Sequence, residues 1–263
     1  MILIADSGST KTHWCLMAAN GHCSEYFTDG INPFQQTSDA IKNSINNQLL
    51  PKMASEMWAG KITGVYFYGA GCTPEKIPVV VYALEDIFKG AKIEVYSDMV
   101  GAACGLLGEE TGVACILGTG ANSCLWNGKE IEKNVPALGF ILGDEGSGAY
   151  LGKRMITDYI RHNMPENVYE LVGKELGYNN DELLDIIYTK PFPNRFCAQY
   201  AKFIRQNIDT DPYFRNLVTD AFTKFFDRIV THYPDYTSYK FNAVGSVAYH
   251  FKDLLEPVVQ KYG

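Results

Sequence analysis

Near the start of the chain, Asp6-Ser7-Gly8-Ser9-Thr10-Lys11-Thr12 sets small, hydroxylated and charged residues between two β-rich runs. A turn of that composition aims several backbone N–H groups at one point and makes a nest for an anion. Lys11 could add positive charge beside a terminal phosphate, and Asp6, at the end of the first run, could hold Mg²⁺ through water. It is not a Walker A loop, since no glycine stands at the required upstream position. Taken alone, a segment of this kind is more often an ordinary hairpin turn.

A second segment, Leu117-Gly118-Thr119-Gly120-Ala121-Asn122, repeats the first at the matching place in a second half. Two facing nests can grip the oxyanions of one triphosphate from both sides, which a lone turn cannot do. Ser97-Asp98 stands where a strand ends and a helix begins, the edge at which α/β sheets collect ligands. Asp98 there is either a helix cap or a general base that takes a hydroxyl proton while the oxygen attacks phosphorus. Gly139 to Gly148 is a glycine-rich loop opening a helix. Its Asp144 could accept hydrogen bonds from sugar hydroxyls, and Glu145 could stabilise the helix start; a solvated pair of acids is the plainer alternative. Asn242-Ala243-Val244-Gly245-Ser246-Val247 reads as strand, turn and helix, with Gly245 letting a flat ligand lie against backbone. The five histidines (13, 22, 162, 232 and 250) form no metal-ligand spacing.

The elements that must carry these residues alternate between short strands and helices, which predicts an α/β architecture. Strands are expected over Ile2–Ala5, Lys11–Met17 and about Cys23–Thr28, with Asn20-Gly21 as a tight turn. A helical stretch at Asp39–Leu50, a strand at Gly64–Tyr68, a helix at Pro78–Phe88, a strand at Lys92–Tyr96 and a helix at Met99–Leu107 complete the first half. The opening pattern then recurs as strands Val113–Leu117 and Ala121–Trp126 with an Asn127-Gly128 turn, which suggests duplication. Residues 149–232 read as a helical insertion, followed by a strand at Phe241–Val244 and one helix over Val247–Leu255. The boundary is placed in the Gly108–Gly112 loop, giving domains 1–108 and 109–263, with both turns facing a shared cleft.

Of 263 residues, 46% are hydrophobic and 20% charged, enough to bury one large core or two modest ones. A net charge of -7 opposes non-specific binding to nucleic acid or anionic membrane. The longest apolar stretch, Ile77 to Leu84, is far short of the roughly 18 residues that span a bilayer. With no basic leader before Ile2, the expectation is a soluble, cytoplasmic protein. Seven cysteines without a CxxC pair are expected to be reduced and mostly buried.

In order along the chain, the Asp6–Thr12 turn, Ser97-Asp98-Met99-Val100-Gly101-Ala102, the Leu117–Asn122 turn, Gly143-Asp144-Glu145-Gly146-Ser147 and Val244-Gly245-Ser246-Val247 together resemble the N-acetylglucosamine kinase and BadF/BadG-type ATPase family. That family belongs to the sugar kinase, Hsp70 and actin superfamily. The resemblance implies two ribonuclease H-like domains closing on ATP and Mg²⁺. Gly8, Ser9, Thr10, Lys11, Gly118, Thr119 and Gly120 would hold phosphates, Gly245 and Ser246 the adenosine. Asp98 would be the counterpart of the catalytic aspartate, and Asn32, Asp98, Thr119 and Asp144 would surround an amino sugar. Leu138 takes the place of a tryptophan in the animal kinase. The implied reaction is ATP-dependent phosphorylation of a sugar hydroxyl, the 6-hydroxyl of N-acetylglucosamine or a near relative, by a chain that could form a homodimer. An activating ATPase with an iron–sulfur cluster, for which Cys104 lacks a partner motif, and a non-catalytic sugar or nucleotide sensor are the rival readings.

Overall fold

The computed structural model describes residues 1–8, 10–57 and 61–263, so Ser9 of the first turn lies outside the described residues. The chain divides into two compact units, Met1–Gly101 and Ala102–Gly263.

In the first unit, β1 (Ile2–Ser7), β2 (Lys11–Met17), β3 (Cys23–Asp29), β4 (Gly64–Gly69) and β5 (Lys92–Ser97) form one sheet in the order β3-β2-β1-β4-β5. The hairpins β1–β2 and β2–β3 are antiparallel, whereas β4 runs parallel to both β1 and β5. Side chains alternate between faces along a strand, so Leu3, Ala5, Trp14, Leu16, Val65, Phe67 and Val95 fall on one buried side. They pack with Ile41, Ile45, Leu49 and Met53 and with Val80, Ala83 and Leu84 from the intervening helices. The Trp14 indole N–H, buried with the ring, donates to Thr28 Oγ1 at 2.9 Å. The expected helix at Asp39–Leu50 is real but composite: Ser38–Ser44, a wide π turn at Ile45–Leu49, then Leu50–Met57. Pro51 has no N–H to donate to the preceding turn, and the wide turn accommodates the missing bond.

In the second unit, β6 (Thr111–Leu117), β7 (Ala121–Asn127), β8 (Ile131–Lys133) and β9 (Phe241–Val244) form a sheet in the order β8-β7-β6-β9. This repeats the β3-β2-β1-β4 arrangement, with antiparallel β6–β7 and β7–β8 and parallel β6–β9. Strand β8 has only three residues, two of them charged, and shows no apolar alternation by which to read it. Helices from Gly148–Ile160 to Pro212–Arg228 supply the largest core, including Leu151, Met155, Phe214, Phe222 and Phe225.

Two expectations are corrected. The single helix at Val247–Leu255 is two, Ser246–His250 and Lys252–Tyr262, broken at Phe251, whose backbone leaves the helical region while its ring is buried. Cys15 on β2 and Cys23 on β3 are joined as a disulfide, the hairpin having brought their Cα atoms to 6.0 Å; Cys72, Cys104, Cys115, Cys124 and Cys197 are free, and all but Cys104 are buried. No helix among the described residues is long and apolar enough to cross a membrane.

Candidate active site

In the first unit the predicted residues gather at the carboxyl ends of the parallel strands β1, β4 and β5. The β1–β2 turn is fastened at its base: Ser7 Oγ accepts from Ile31 N at 3.0 Å and lies 2.7 Å from Thr12 Oγ1, which donates to Asp29 O at 3.1 Å. Ser7 and Thr12 are fully buried. Gly8 N donates to Lys11 O and Gly30 N to Thr10 O, so the turn is held by itself and by the loop after β3. Lys11 lays its ammonium over the Phe27 ring, 5.0 Å from the centroid, and that ring also stacks on His13.

Asp98 opens the helix Asp98–Leu107 directly after β5. The cap role falls to its neighbour, because Ser97 Oγ is the acceptor, at 3.4 Å, for Val100 N, whereas Asp98 Oδ1 accepts from the adjacent Met99 N at 2.9 Å. Burial pushes the Asp98 carboxyl up to about 6, the Met99 bond opposes the rise, and the negative charge of Asp6 adds to it. Asp6 keeps access to solvent, yet the atoms around it raise its carboxyl as well, against the attraction of His13 and Lys11. Asn32 reaches the same edge of the sheet. Its Oδ1 accepts from Phe34 N at 3.0 Å and packs on Gly71 in the loop after β4, where an added Cβ would come within 2.5 Å of it. Gly71 has φ +77°, so that position favours glycine twice over.

The second unit builds its group around the β6–β7 turn. Gly118 N donates to Gly120 O at 3.0 Å, and the carbonyls of Gly118 and Thr119 accept from Gly148 N (2.8 Å) and Ala149 N (3.0 Å). The first N–H groups of a helix have no partner within it, and here the turn supplies one for each of the first two. With its carbonyls so engaged, the turn leaves the N–H groups of Thr119 and Gly120 without an acceptor among the described residues. Asp144 stands beside them with left-handed backbone (φ +63°) and 7% exposure; its Oδ1 accepts from Ala121 N at 3.3 Å. Burial raises its carboxyl, with Glu145 adding to the rise and Ala121 N and Lys153 opposing it. Ser147 Oγ caps the helix Gly148–Ile160 by accepting from Tyr150 N. Gly245, at φ +111°, presses on Leu117 and Gly118 so closely that a side chain would collide with their backbone.

Thus Gly118, Thr119, Gly120, Asp144, Gly245 and Ser246 form one neighbourhood in the second unit, while Asp6, Gly8, Thr10, Lys11, Asn32 and Asp98 share the loop edge of the first sheet. The solvated-acid alternative for residues 144–145 is corrected: both are buried, and Glu145 Oε1 accepts from Arg228 Nη1 at 2.7 Å. Three neighbours escaped the sequence reading. Cys72 is buried near Asp98, and its thiol is pushed up to about 12 by burial and then by that charge. Arg228 and Lys153 come from helices far along the chain, and nothing in the spacing of residues 144–153 distinguishes Lys153 from a surface lysine.

The two related sheets, each with a glycine turn at its central hairpin and carboxylates beside it, define an α/β protein of the sugar kinase and actin type. A crystal structure from Porphyromonas gingivalis, whose name proposes an N-acetylglucosamine kinase, is 44% identical with a TM-score of 0.94, covering 100% of this chain and 92% of that one. A second, from Chromobacterium violaceum and likewise named as a proposed N-acetylglucosamine kinase, matches in fold at 16% identity and TM-score 0.79, covering 99% and 92%. A ROK family glucokinase from Streptomyces griseus, in complex with glucose and AMPPNP, shares the fold at 14% identity and TM-score 0.52, covering 98% and 88%. No protein-family profile and no curated protein matches the chain. On the full-length likeness at 44% identity, the chain belongs to the N-acetylglucosamine kinase and BadF/BadG-type ATPase family.

Proposed function

We propose that the protein is an ATP-dependent sugar kinase that phosphorylates a hydroxyl, the 6-hydroxyl, of N-acetylglucosamine or a closely related amino sugar. The observation that carries the reading is Asp98: a half-buried carboxylate at a strand end, relieved of capping by Ser97, with its proton affinity raised to about 6. A base poised near the working pH accepts the acceptor's proton as its oxygen attacks the γ-phosphorus. In that step the new O–P bond forms, the bond to the ADP oxygen breaks, and the proton passes to Asp98. The amino-sugar acceptor is supported by the name of the P. gingivalis relative.

On this reading the chain forms two ribonuclease H-like domains, 1–108 and 109–263, that close on ATP across a cleft. The boundary keeps the helix Asp98–Leu107 whole and with the first domain. Thr10, Lys11, the N–H groups of the Gly8 turn and those of Thr119 and Gly120 hold phosphates, while Gly245 and Ser246 take the adenosine. Asn32, Thr119 and Asp144 bind the sugar. One or two carboxylates with several waters suffice for Mg²⁺, and solvent-accessible Asp6 beside Asp98 fits that demand. There the ion would supply neutralisation of phosphate charge. A cytoplasmic location, independence of nucleic acid and membrane, and a homodimer complete the proposal.

The test is a panel of amino sugars with ATP and Mg²⁺, reading ADP release, followed by NMR assignment of the phosphorylated position. Stimulation by one amino sugar with phosphate on O6 is expected. ADP release indifferent to every sugar overturns the kinase reading, and binding of sugar without turnover would make the protein a sensor.

A further inference from the structure

The cysteines fall into two physical classes. Cys72, Cys115, Cys124 and Cys197 are buried. Burial pushes all four thiols up, those of Cys72, Cys124 and Cys197 to about 12, so they stay protonated and inert. Cys15 and Cys23 are placed otherwise. The ladder sets Cys15 opposite Glu25 and Cys23 opposite Met17, which makes the two cysteines diagonal neighbours on one face of the β2–β3 hairpin. Side chains alternate along β2, so this face points away from buried Trp14 and Leu16. Cys23 is exposed and Cys15 half-buried, and their Cα separation of 6.0 Å lies within the span of a disulfide. An exposed disulfide is of the readily reduced kind.

We propose that Cys15 and Cys23 form a reversible thiol–disulfide exchange site, which takes a small disulfide of the glutathione class as oxidant and the matching thiol as reductant. The chemistry does not rest on the kinase reading. In closure, the Cys23 thiolate attacks one sulfur of the small disulfide, forming a mixed disulfide and expelling the first small thiolate. The Cys15 thiolate then attacks the Cys23 sulfur, which closes the Cys15–Cys23 bond and expels the second. Two protein thiols lose two electrons, one small disulfide gains them, and the two cysteine protons pass to the departing thiolates. Reduction runs the same steps backward. Cys23 is the point of entry because it is the more exposed of the two.

The place of the bond in the fold says what its opening would loosen. Strand β3 is the edge of its sheet, and of its seven residues only Thr28 is buried, so alternation gives it a weak register signal. Its Asp29 end is clamped by polar bonds: Gln48 engages Asp29 N and Oδ2, and Lys52 Nζ donates to Phe27 O at 2.6 Å. The Cys23 end is held by the tight turn over residues 18–22 and by the cross-link. Opening the bond therefore frees the Cys23 end. The Asp29 end, which fastens the β1–β2 turn through Thr12, keeps its own anchors.

The test uses the full-length chain in glutathione buffers of graded thiol-to-disulfide ratio, with Cys104→Ser removing the exposed free thiol. Thiols are trapped by alkylation after an acid quench and mapped by mass spectrometry. Cys15 and Cys23 should pass together from joined to alkylated as the buffer becomes reducing, and rejoin when the ratio is reversed. In Cys15→Ser the resolving thiol is missing, so Cys23 should accumulate as a mixed disulfide with glutathione. On reduction, amide hydrogen exchange over residues 24–26 should quicken by about tenfold while Gly30 and Ile31 hold. A pair that stays joined at every ratio, or stays as two thiols at every ratio, overturns the proposal. So does a Cys23 that takes up no glutathione in Cys15→Ser, or a β3 exchange indifferent to the state of the bond.

Discussion

The two β-hairpin turns occupy the same place in the same topology, yet they are fastened by different physics. At the β1–β2 turn the closing pair of the ladder is Ser7 opposite Thr12, and at the β6–β7 turn it is Leu117 opposite Ala121. The first pair is a buried hydroxyl relay that bolts the turn to the loop after β3 through Ile31 and Asp29. The second is apolar, so its turn is held from outside by the first N–H groups of the helix Gly148–Ile160 and by Asp144. The carboxylates differ in step. Asp98 stands at the end of a parallel strand, its cap supplied by a neighbour, whereas Asp144 is wedged by left-handed backbone against the turn it serves. One repeated motif thus yields a turn with a carboxylate at a neighbouring strand end and a turn with a carboxylate from a later loop lodged against it.

The largest expected effect breaks this division of labour at its base. Asp98→Asn should lower phosphoryl transfer by about a thousandfold, within the range for loss of a general base, with nucleotide affinity by calorimetry little changed. In the wild type, kcat/KM should fall on the acid side with a midpoint near the raised value of about 6. The same shift has a stability sign. The folded chain keeps the Asp98 proton to higher pH than the unfolded one, so this group makes stability decline as pH rises from the ordinary carboxyl range through about 6. Asp98→Asn removes that decline, and its Tm at pH 7 should exceed that of the wild type, with the gap closing toward pH 4.

Next in size, Gly245→Ala strains the outside support of the second turn. It places a side chain at φ +111° and against Leu117 and Gly118, and should cost about 3 kcal/mol in denaturant unfolding. Asp144→Asn should raise KM for the amino sugar by about tenfold or more while leaving kcat closer to normal, since a neutral amide forfeits charge-assisted hydrogen bonds. A last pair of variants sharpens the contrast between the two turns. Ser7→Ala leaves Ile31 N–H without its acceptor and should cost roughly 1–3 kcal/mol. Leu117→Ala, at the equivalent position, should destabilise only as lost apolar packing, readable as a larger loss in stability with no change in hydrogen exchange at the turn amides.

Much of this was legible in the chain itself. Strands β2, β4, β5, β6, β7 and β9 follow from apolar runs closed by Gly, Asn-Gly or Ser-Asp, and the recurrence of the pattern near residue 112 anticipated the repeated sheet order. Strand β8 did not show, because Ile131-Glu132-Lys133 is too short and polar to alternate. The Phe251 break did not show either, because an apolar residue within a helical period carries no stop signal of its own.

What the sequence determined is local: turns from glycine, strands from alternation, a carboxylate near the end of β1 and at the start of the helix after β5. These need only neighbouring residues, whose sterics and hydrogen bonds act over a few positions. What the tertiary structure alone decided is which of two readings each polar residue took. Ser97, not Asp98, became the cap; Glu145 paired with Arg228 across 83 residues of chain; and Lys153 came to rest on Phe140. Those outcomes depend on burial and on partners distant in sequence, and both come into being only when the sheets and helices pack.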